Sequence, residues 1–364
     1  MKLQKTSVLL LITCSGAAAC AIVRAPATRL PGRSESVRYD TIAHAQVWTP
    51  TNIPAMNVRV GPGGRGAFAP GATVACTYVD KELEGKSPKF LCRIGTSDQV
   101  LVKYGRTNGE VFGEVLATRL LWALGFPADR IYPVKVICKG CPENLDAGEV
   151  SGRNTRIEYA AIKRRATWPE MKFEDEKEGW SWDELDWANP EFGGAPRAHR
   201  DALKLLAVML QHGDNKSAQQ RIVCRDLTAS GLPGSCRRPL LMIADLGLTF
   251  GRSNLLNANE EGSVNLQEWR RTSIWKDDRG CTGNLRKSLT GTLANPVISE
   301  EGRRFLAGLL MQLTDRQLSD LFTISRATRR ENPETRTDRD QGTLKDWIDT
   351  FHEKRAEIVD RHCA

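Results

Sequence analysis

Two aspartates stand on separate loops, each directly after a regular element, and this arrangement constrains the fold more than any other feature of the chain. Residues 198–211 carry apolar side chains at three- and four-residue spacing, which predicts an amphipathic helix leading to the loop of residues 212–219. Residues 239–244 form a short apolar run that predicts a buried strand, and Asp245 follows it directly. A helix end thus delivers Asp214, and a strand end delivers Asp245.

The order of these two carboxylates indicates phosphoryl transfer. Such a reaction needs one carboxylate that orients the attacking hydroxyl and a later one that holds the metal ion of the nucleotide. Asp214 and Asp245 have this order, and each lies beside small or flexible residues that let a substrate approach.

The first 20 residues predict an export signal. Lys2 and Lys5 form a basic start, residues 8–12 an apolar core, and residues 16–21 a small-residue run suited to cleavage. The run ending at Cys20 also resembles a bacterial lipobox, so the segment fits either an ordinary cleaved signal or a lipoprotein signal in which Cys20 carries the lipid. We expect an exported protein of the bacterial periplasm or cell envelope.

Cysteine usage agrees with export. Of ten cysteines, Cys14 and Cys20 belong to the signal, which leaves an even number for disulfides. Cys138 and Cys141 form a Cys-x-x-Cys sequence in a loop pattern, which favours a structural bridge over a redox motif. Zinc would need a second ligand pair at matching spacing, and the sequence has none. The bridges we expect are Cys76–Cys92, Cys224–Cys236 and Cys138–Cys141.

The formal net charge is +8, but the basic residues are spread along the sequence. No run alternates them with aromatic residues as a nucleic-acid groove would, so we expect no nucleic-acid partner. After the N-terminal signal, no segment has the apolar length of a membrane span. The membrane contact we expect is therefore limited to a lipid anchor at Cys20.

Composition and periodicity divide the chain into four parts. Residues 1–20 are the signal, residues 21–72 predict a linker or wrapping arm, residues 73–165 an N-lobe and residues 166–364 a C-lobe. The expected fold class is α+β, with a small antiparallel sheet lobe and a mainly helical lobe. The elements behind it are strands at 73–79, 90–94, 100–104, 131–138, 157–164, 222–224 and 239–244, and helices at 109–125, 198–211, 299–313, 314–322 and 343–362.

An acidic, tryptophan-rich stretch at residues 168–187 allows two interpretations. Trp180, Trp182 and Trp187 could form a recognition surface, or they could cover the core. Because aromatic side chains bury large apolar areas, we favour the core.

The motifs resemble those of the protein-kinase-like fold. Asp245-Leu246-Gly247 resembles the kinase Asp-Phe-Gly motif, and residues 85–89 resemble the phosphate loop of HipA-type kinases and their phosphatidylinositol-kinase-like relatives. A strand ending at Lys103 and a helix starting near Glu110 follow that loop in the expected order. The spacing of the kinase catalytic loop is matched by His212, Asp214, Lys216 and Gln219.

The resemblance implies a role for each of these residues, with ATP and Mg²⁺ or Mn²⁺ as cofactors. Lys103 would hold the nucleotide phosphates, positioned by Glu114 or alternatively by Glu110. Asp214 would orient the substrate hydroxyl beside His212, and Lys216 would neutralise the transferred phosphoryl group. The phosphate-loop contacts would be Gly85, Lys86, Ser87 and Lys89; the metal ligands would be Gln219 and Asp245; residues 159–163 would meet adenine through their backbone.

Three functions follow as alternatives. The first is an exported kinase-like phosphotransferase acting on a hydroxyl of a protein or small molecule. The second is a pseudokinase binding module at the cell envelope, favoured by Gln219 where the family has Asn and by the scarcity of ATP outside the cytoplasm. The third is nucleotidyl transfer by the same carboxylates with the nucleotide reversed.

Overall fold

The computed structural model describes residues 33–363 except 86, 143–144, 146–147, 152–153, 174–177, 227–235, 252–262 and 332–340. The segment predicted to be an export signal, with Cys14 and Cys20, lies outside the described residues. The chain forms a sheet lobe and a mainly helical lobe, the α+β architecture predicted from the sequence.

The strands are β1 Thr73–Val79, β2 Lys89–Ile94, β3 Asp98–Tyr104, β4 Arg130–Lys139, β5 Gly148–Ser151, β6 Asn154–Arg164, β7 Gln220–Cys224 and β8 Pro239–Ile243. The helices are α1 Arg33–Ala43, α2 Gly109–Leu124, α3 Arg197–Met209, α4 Leu266–Arg271, α5 Glu300–Leu310, α6 Asp315–Ser325 and α7 Leu344–Val359.

The sheet of the N-lobe closes on itself. Its strands pair in the order β3-β2-β1-β4-β6-β5, and β3 also pairs with β6, so five strands form a ring with β5 outside it. The pairs are antiparallel as predicted, except that β1 and β4 are parallel. A parallel pair needs a long crossover connection, and the segment from β2 through α2 supplies it.

Alternation along β3 separates the core of the sheet lobe from its polar face. Val100, Val102 and Tyr104 point into the apolar interior of the ring. Leu101 and Lys103 belong to the opposite face, which looks toward the helical lobe and lines a cleft between the lobes. The period of two therefore fixes on which side Lys103 emerges.

The helical lobe is built around α3, whose apolar stripe packs against α5. Trp180 and Trp182 are buried in the same core, with exposed fractions of 0% and 1%, and Trp187 is half-buried. Trp180 and Trp182 therefore belong to the core, as we favoured, and are not available as a recognition surface.

The described part of residues 21–72 packs against both lobes as an arm. Ile53 and Val58 are buried in the main core, and the backbone of Gln46 bonds Pro239 and Leu241 beside β8. Arg119 of α2 donates to the carbonyl of Val58 at 2.5 Å. These contacts fix the arm along the joint between the lobes.

Four disulfides lie among the described residues. The three predicted pairs are present, and the fourth joins residues 82 apart near the end of the chain: Cys76–Cys92, Cys138–Cys141, Cys224–Cys236 and Cys281–Cys363. Such a set is typical of proteins that fold in an oxidising, extracellular-type environment. Within the described ranges, no helix combines the length and apolar character needed to cross a membrane.

Candidate functional site

A buried lysine at the end of β3 is the centre of a charged cluster. Lys103 is 3% exposed. Its Nζ lies 2.7 Å from Glu110 Oε2, 2.9 Å from Glu114 Oε2 and 3.2 Å from Asp245 Oδ2. Burial alone would lower the pKa of Lys103, but these carboxylates, led by Asp245, raise it well above its ordinary value. Lys103 is therefore a permanent cation, and both helix carboxylates contact it.

Asn108 holds this lysine strand, the following helix and the phosphate-loop segment together. Its Oδ1 accepts from the backbone of Glu110 at 3.1 Å, which caps the start of α2. Its Nδ2 donates to the carbonyl of Tyr104 at 3.0 Å and to that of Pro88 at 3.3 Å. One buried side chain thus positions Glu110 beside Lys103.

The segment of residues 85–89 lies over the cleft. Gly85, Ser87 and Lys89 line it, while Lys86 lies outside the described residues. Gly85 has a φ of +88° and the Lys89 ammonium packs against it, so a side chain there would be strained. Burial, together with Lys103, lowers the pKa of Lys89, which the nearby Glu110 opposes.

Asp245 is held as an anion at the end of β8. Its Oδ1 accepts from the backbone of Gly247 at 3.0 Å. Burial would raise the pKa of this carboxyl, but Lys103 and Lys163 hold it well below its usual range. Glycine is required two residues later because a Cβ on Gly247 would lie 2.7 Å from Glu110 Cγ.

The loop after α3 brings a second carboxylate into the same cleft. Gln219 Nε2 donates to Asp214 Oδ2 at 3.0 Å, and its carbonyl accepts from the backbone of Asp245 at 3.2 Å. Burial raises the pKa of Asp214, opposed by Lys216 and by the Gln219 hydrogen bond. Asn215, fully buried, fixes the loop through bonds to the backbones of His212, Thr292 and Leu293.

His212 and Lys216 differ sharply in environment. His212 is 1% exposed, and burial lowers its pKa to about 4, so it is neutral at pH 7. Among the described residues, neither of its ring nitrogens has a hydrogen-bond partner. Lys216 is half-buried and lines the cleft, so its ammonium can reach a bound anion.

Sequence reasoning missed Lys163 on β6. Its Nζ lies 3.0 Å from Glu114 Oε1 and 3.7 Å from both Asp129 Oδ2 and Asp245 Oδ2, and it donates to the carbonyl of Ala244. The signal was present, because Lys163 ends an apolar run two residues after Ala161, which pairs with Lys103. Residues two apart on a strand share a face.

The expectation that the backbone of residues 159–163 would contact adenine is wrong. Residues 160–163 pair with β3 on one side and with β4 on the other. Gly105 bonds the carbonyl of Tyr159, and Arg326 bonds those of Glu158 and Ala160. This stretch is an inner strand of the ring, whose hydrogen-bonding groups are already used.

All described candidate residues except Glu114 line one cleft of about 520 Å³ between the lobes. Glu114 lies behind the cleft, where it is fully buried and forms ion pairs with Lys103 and Lys163. Within the described ranges, no group of three or more His, Cys, Asp or Glu side chains forms a metal cage. The Asp245 carboxylate and the Gln219 amide oxygen are hard donors, which fits a Mg²⁺ ion that takes few protein ligands beside water and phosphate.

Comparison with known proteins shows a loose likeness in structure alone. No family model and no curated protein matches the chain. Among solved structures, it is similar to the Helicobacter pylori proinflammatory kinase CtkA, with 12% identity and a TM-score of 0.41 over 79% of this chain and 96% of that one. A likeness of this size carries no argument about function. The function proposed below rests on the side chains of the cleft.

Proposed function

We propose that the protein is a metal-dependent, kinase-like phosphotransferase that moves the terminal phosphoryl group of ATP to a hydroxyl group of a protein or small molecule. One observation carries the proposal. Lys103 from the sheet lobe and Asp214 and Asp245 from two loops of the helical lobe line a single cleft, although more than a hundred residues separate the first from the others. Their order and their lobes match what the kinase-like resemblance implies.

The cations of the cleft would bind the nucleotide phosphates. Lys103 and Lys89 are neighbours on adjacent strands and face the same side of the sheet. Glu110 and Glu114 hold the Lys103 ammonium in place, so it need not be ordered when the nucleotide binds. Lys216, on the opposite lobe, would neutralise charge that develops on the transferred group.

Asp214 would accept the proton of the attacking hydroxyl. A base works best when its pKa approaches the working pH, and burial shifts the pKa of Asp214 in that direction. The hydrogen bond from Gln219 fixes the Asp214 carboxylate in the cleft. His212 beneath the loop would stay neutral and support the loop by packing.

Asp245 and the Gln219 amide oxygen would hold the metal ion, which when bound would neutralise the phosphates. Asp245 is suited to this role because its carboxylate remains charged at every working pH. The backbone carbonyl of Gln219 accepts from the backbone of Asp245, so the two chain segments that carry these donors are held together.

We place this activity in an exported protein, in the periplasm or cell envelope, whose lipid anchor would be at Cys20. The four disulfides support export. A nucleotide-binding module without catalysis is the second candidate. It is favoured by Gln219, which stands where the kinase-like resemblance implies Asn.

Two labelled forms of ATP separate these functions. The purified protein is incubated with Mg²⁺ or Mn²⁺ and ATP labelled at the terminal or at the alpha phosphate, with candidate hydroxyl acceptors. We expect metal-dependent transfer of the terminal label, its loss in Asp245→Asn, and no change in Asp80→Asn, an exposed aspartate outside the cleft. Transfer of the alpha label indicates nucleotidyl transfer, and metal-dependent binding without transfer of either label indicates the binding module.

A further inference from the structure

A second cavity of about 350 Å³ lies beside the arm and shares no lining residue with the cleft. Its walls come from the arm, from the connection between α2 and β4, from residues 166–168 after β6, and from Arg225 and Leu240 around β7 and β8. We call it the arm pocket. Its volume is in the range of cavities that bind small molecules.

The walls of the arm pocket are mostly apolar and aromatic. Phe126 and Leu240 form a buried part of the lining. Trp122 and Trp168 are only half-buried, so they leave indole surface accessible in the cavity. Partly exposed aromatic faces gain most from a flat apolar ligand that covers them.

The charges around these walls are positive. Arg65, Arg130 and Arg225 line the pocket, and the Arg225 guanidinium lies 5.8 Å from the centre of the Trp168 ring. The carboxylate that lines it, Asp129, is already bound by Arg221 Nη1 at 2.9 Å and faces Lys163 at 3.7 Å. A ligand with a negative group is therefore complementary to the pocket.

The arm pocket depends on backbone and side-chain bonds that hold the arm in place. Thr49 donates from its backbone to the carbonyl of Gly125 at 2.9 Å, and its Oγ1 accepts from Arg225 at 2.9 Å. Arg130 donates to the carbonyls of Gly63 at 3.0 Å and Arg65 at 3.2 Å. The cavity is thus built into the fold, with a preformed shape.

We propose that the arm pocket binds a small aromatic acid, its ring between the tryptophans and its anionic group beside the arginines. This site stands apart from the cleft and does not depend on the phosphotransferase activity. A suitable probe is anilinonaphthalene sulfonate, an aromatic anion that fluoresces when its ring leaves water; its neutral counterpart is phenylnaphthylamine.

Fluorescence titration of the folded protein tests the site. We expect one saturable site for the anionic probe, weakened about tenfold by the double substitution Arg65→Glu and Arg225→Glu. The matched control, Arg93→Glu with Arg304→Glu, makes the same change in net charge at exposed positions outside the pocket and should leave affinity unchanged. The neutral probe should bind more weakly and be insensitive to both pairs.

Three results would overturn the proposal: no saturable binding, an equal loss in both double variants, or displacement of the probe by Mg²⁺ and ATP. Melting curves establish that each variant is folded. If the first double variant does not fold, Arg65→Glu alone serves, because the Arg65 side chain is exposed. It should weaken the anionic probe several-fold and leave the neutral probe unchanged.

Discussion

The cleft and the arm pocket both lie at the joint between the lobes, yet their lining side chains differ in chemistry. Charges from both lobes meet in the cleft, where Lys103 contacts Glu110, Glu114 and Asp245, and Asp214 accepts a hydrogen bond from Gln219. Aromatic surface with arginines around it forms the arm pocket. This difference fits the two proposals: the cleft would stabilise charge during phosphoryl transfer, whereas the arm pocket would bind the ring of an aromatic acid.

A buried ionic chain connects the two regions. Asp129 lines the arm pocket, Lys163 bridges Asp129 and Asp245, and Asp245 lines the cleft. Substitutions along this chain are therefore the most direct way to test how far the two regions are independent.

The largest effect is expected from Asp245→Asn. Removing the charge of the proposed metal ligand should lower phosphoryl transfer by about a thousandfold or more. Binding of the aromatic anion in the arm pocket should stay unchanged, because Asp245 is not part of its lining. A parallel loss of transfer and probe binding would contradict the separation of the two regions.

Lys163→Met should destabilise the whole joint. The substitution leaves Glu114, which is fully buried, without one of its cations. Removing one partner of a buried ion pair costs about 4 kcal/mol in free energy of unfolding. Urea denaturation measures this loss, and adding Glu114→Gln should restore part of it. If the single variant is as stable as the wild type, Lys163 does not hold the joint.

His212 should make the stability of the cleft side depend on pH. Its pKa is about 4 in the folded protein against an ordinary value of 6.5, so the unfolded chain binds a proton first as the pH falls. Stability is therefore lost between pH 6.5 and pH 4, by about 3 kcal/mol over the whole window. Unfolding measured across this range should show that component in the wild type and not in His212→Gln. Equal pH dependence in both proteins would show that His212 is not buried as described.

Gln219→Asn should have the smallest effect, confined to the cleft. The shorter side chain loses the hydrogen bond to Asp214. Because that bond lowers the pKa of the Asp214 carboxyl, its loss should raise this pKa further. We expect transfer about tenfold slower, from the loss of one bond to a charged group, and an acid limb of the pH profile at higher pH. Faster transfer in this variant would mean that Gln219 impairs the metal site.

The cleft could be predicted from the sequence because its chemistry depends on charged residues at fixed spacing. Lys103, Asp214 and Asp245 follow recognisable elements, and alternation along β3 is visible in the apolar residues on either side of the lysine. The choice between Glu110 and Glu114 could not be made, since both lie on one face of α2 and both contact Lys103.

Features that depend on contacts between residues far apart in the sequence could not be predicted. The ring closure between β3 and β6 uses the backbone that we expected adenine to contact, and it brings Lys163 to the cluster. The arm pocket combines six separated stretches of the chain, around residues 49–51, 62–65, 122–130, 166–168, 225 and 240. Contacts of this kind depend on tertiary packing, and local periodicity does not report them.

A crystal structure with Mn²⁺ and a non-hydrolysable ATP analogue tests the central claim most directly. The account predicts the terminal phosphates beside Lys103 and Lys89, an anomalous manganese peak at Asp245 and Gln219, and no nucleotide in the arm pocket. A nucleotide bound outside the cleft would contradict the account. So would a crystal grown with saturating Mn²⁺ and nucleotide that shows no manganese peak between Asp245 and the phosphates.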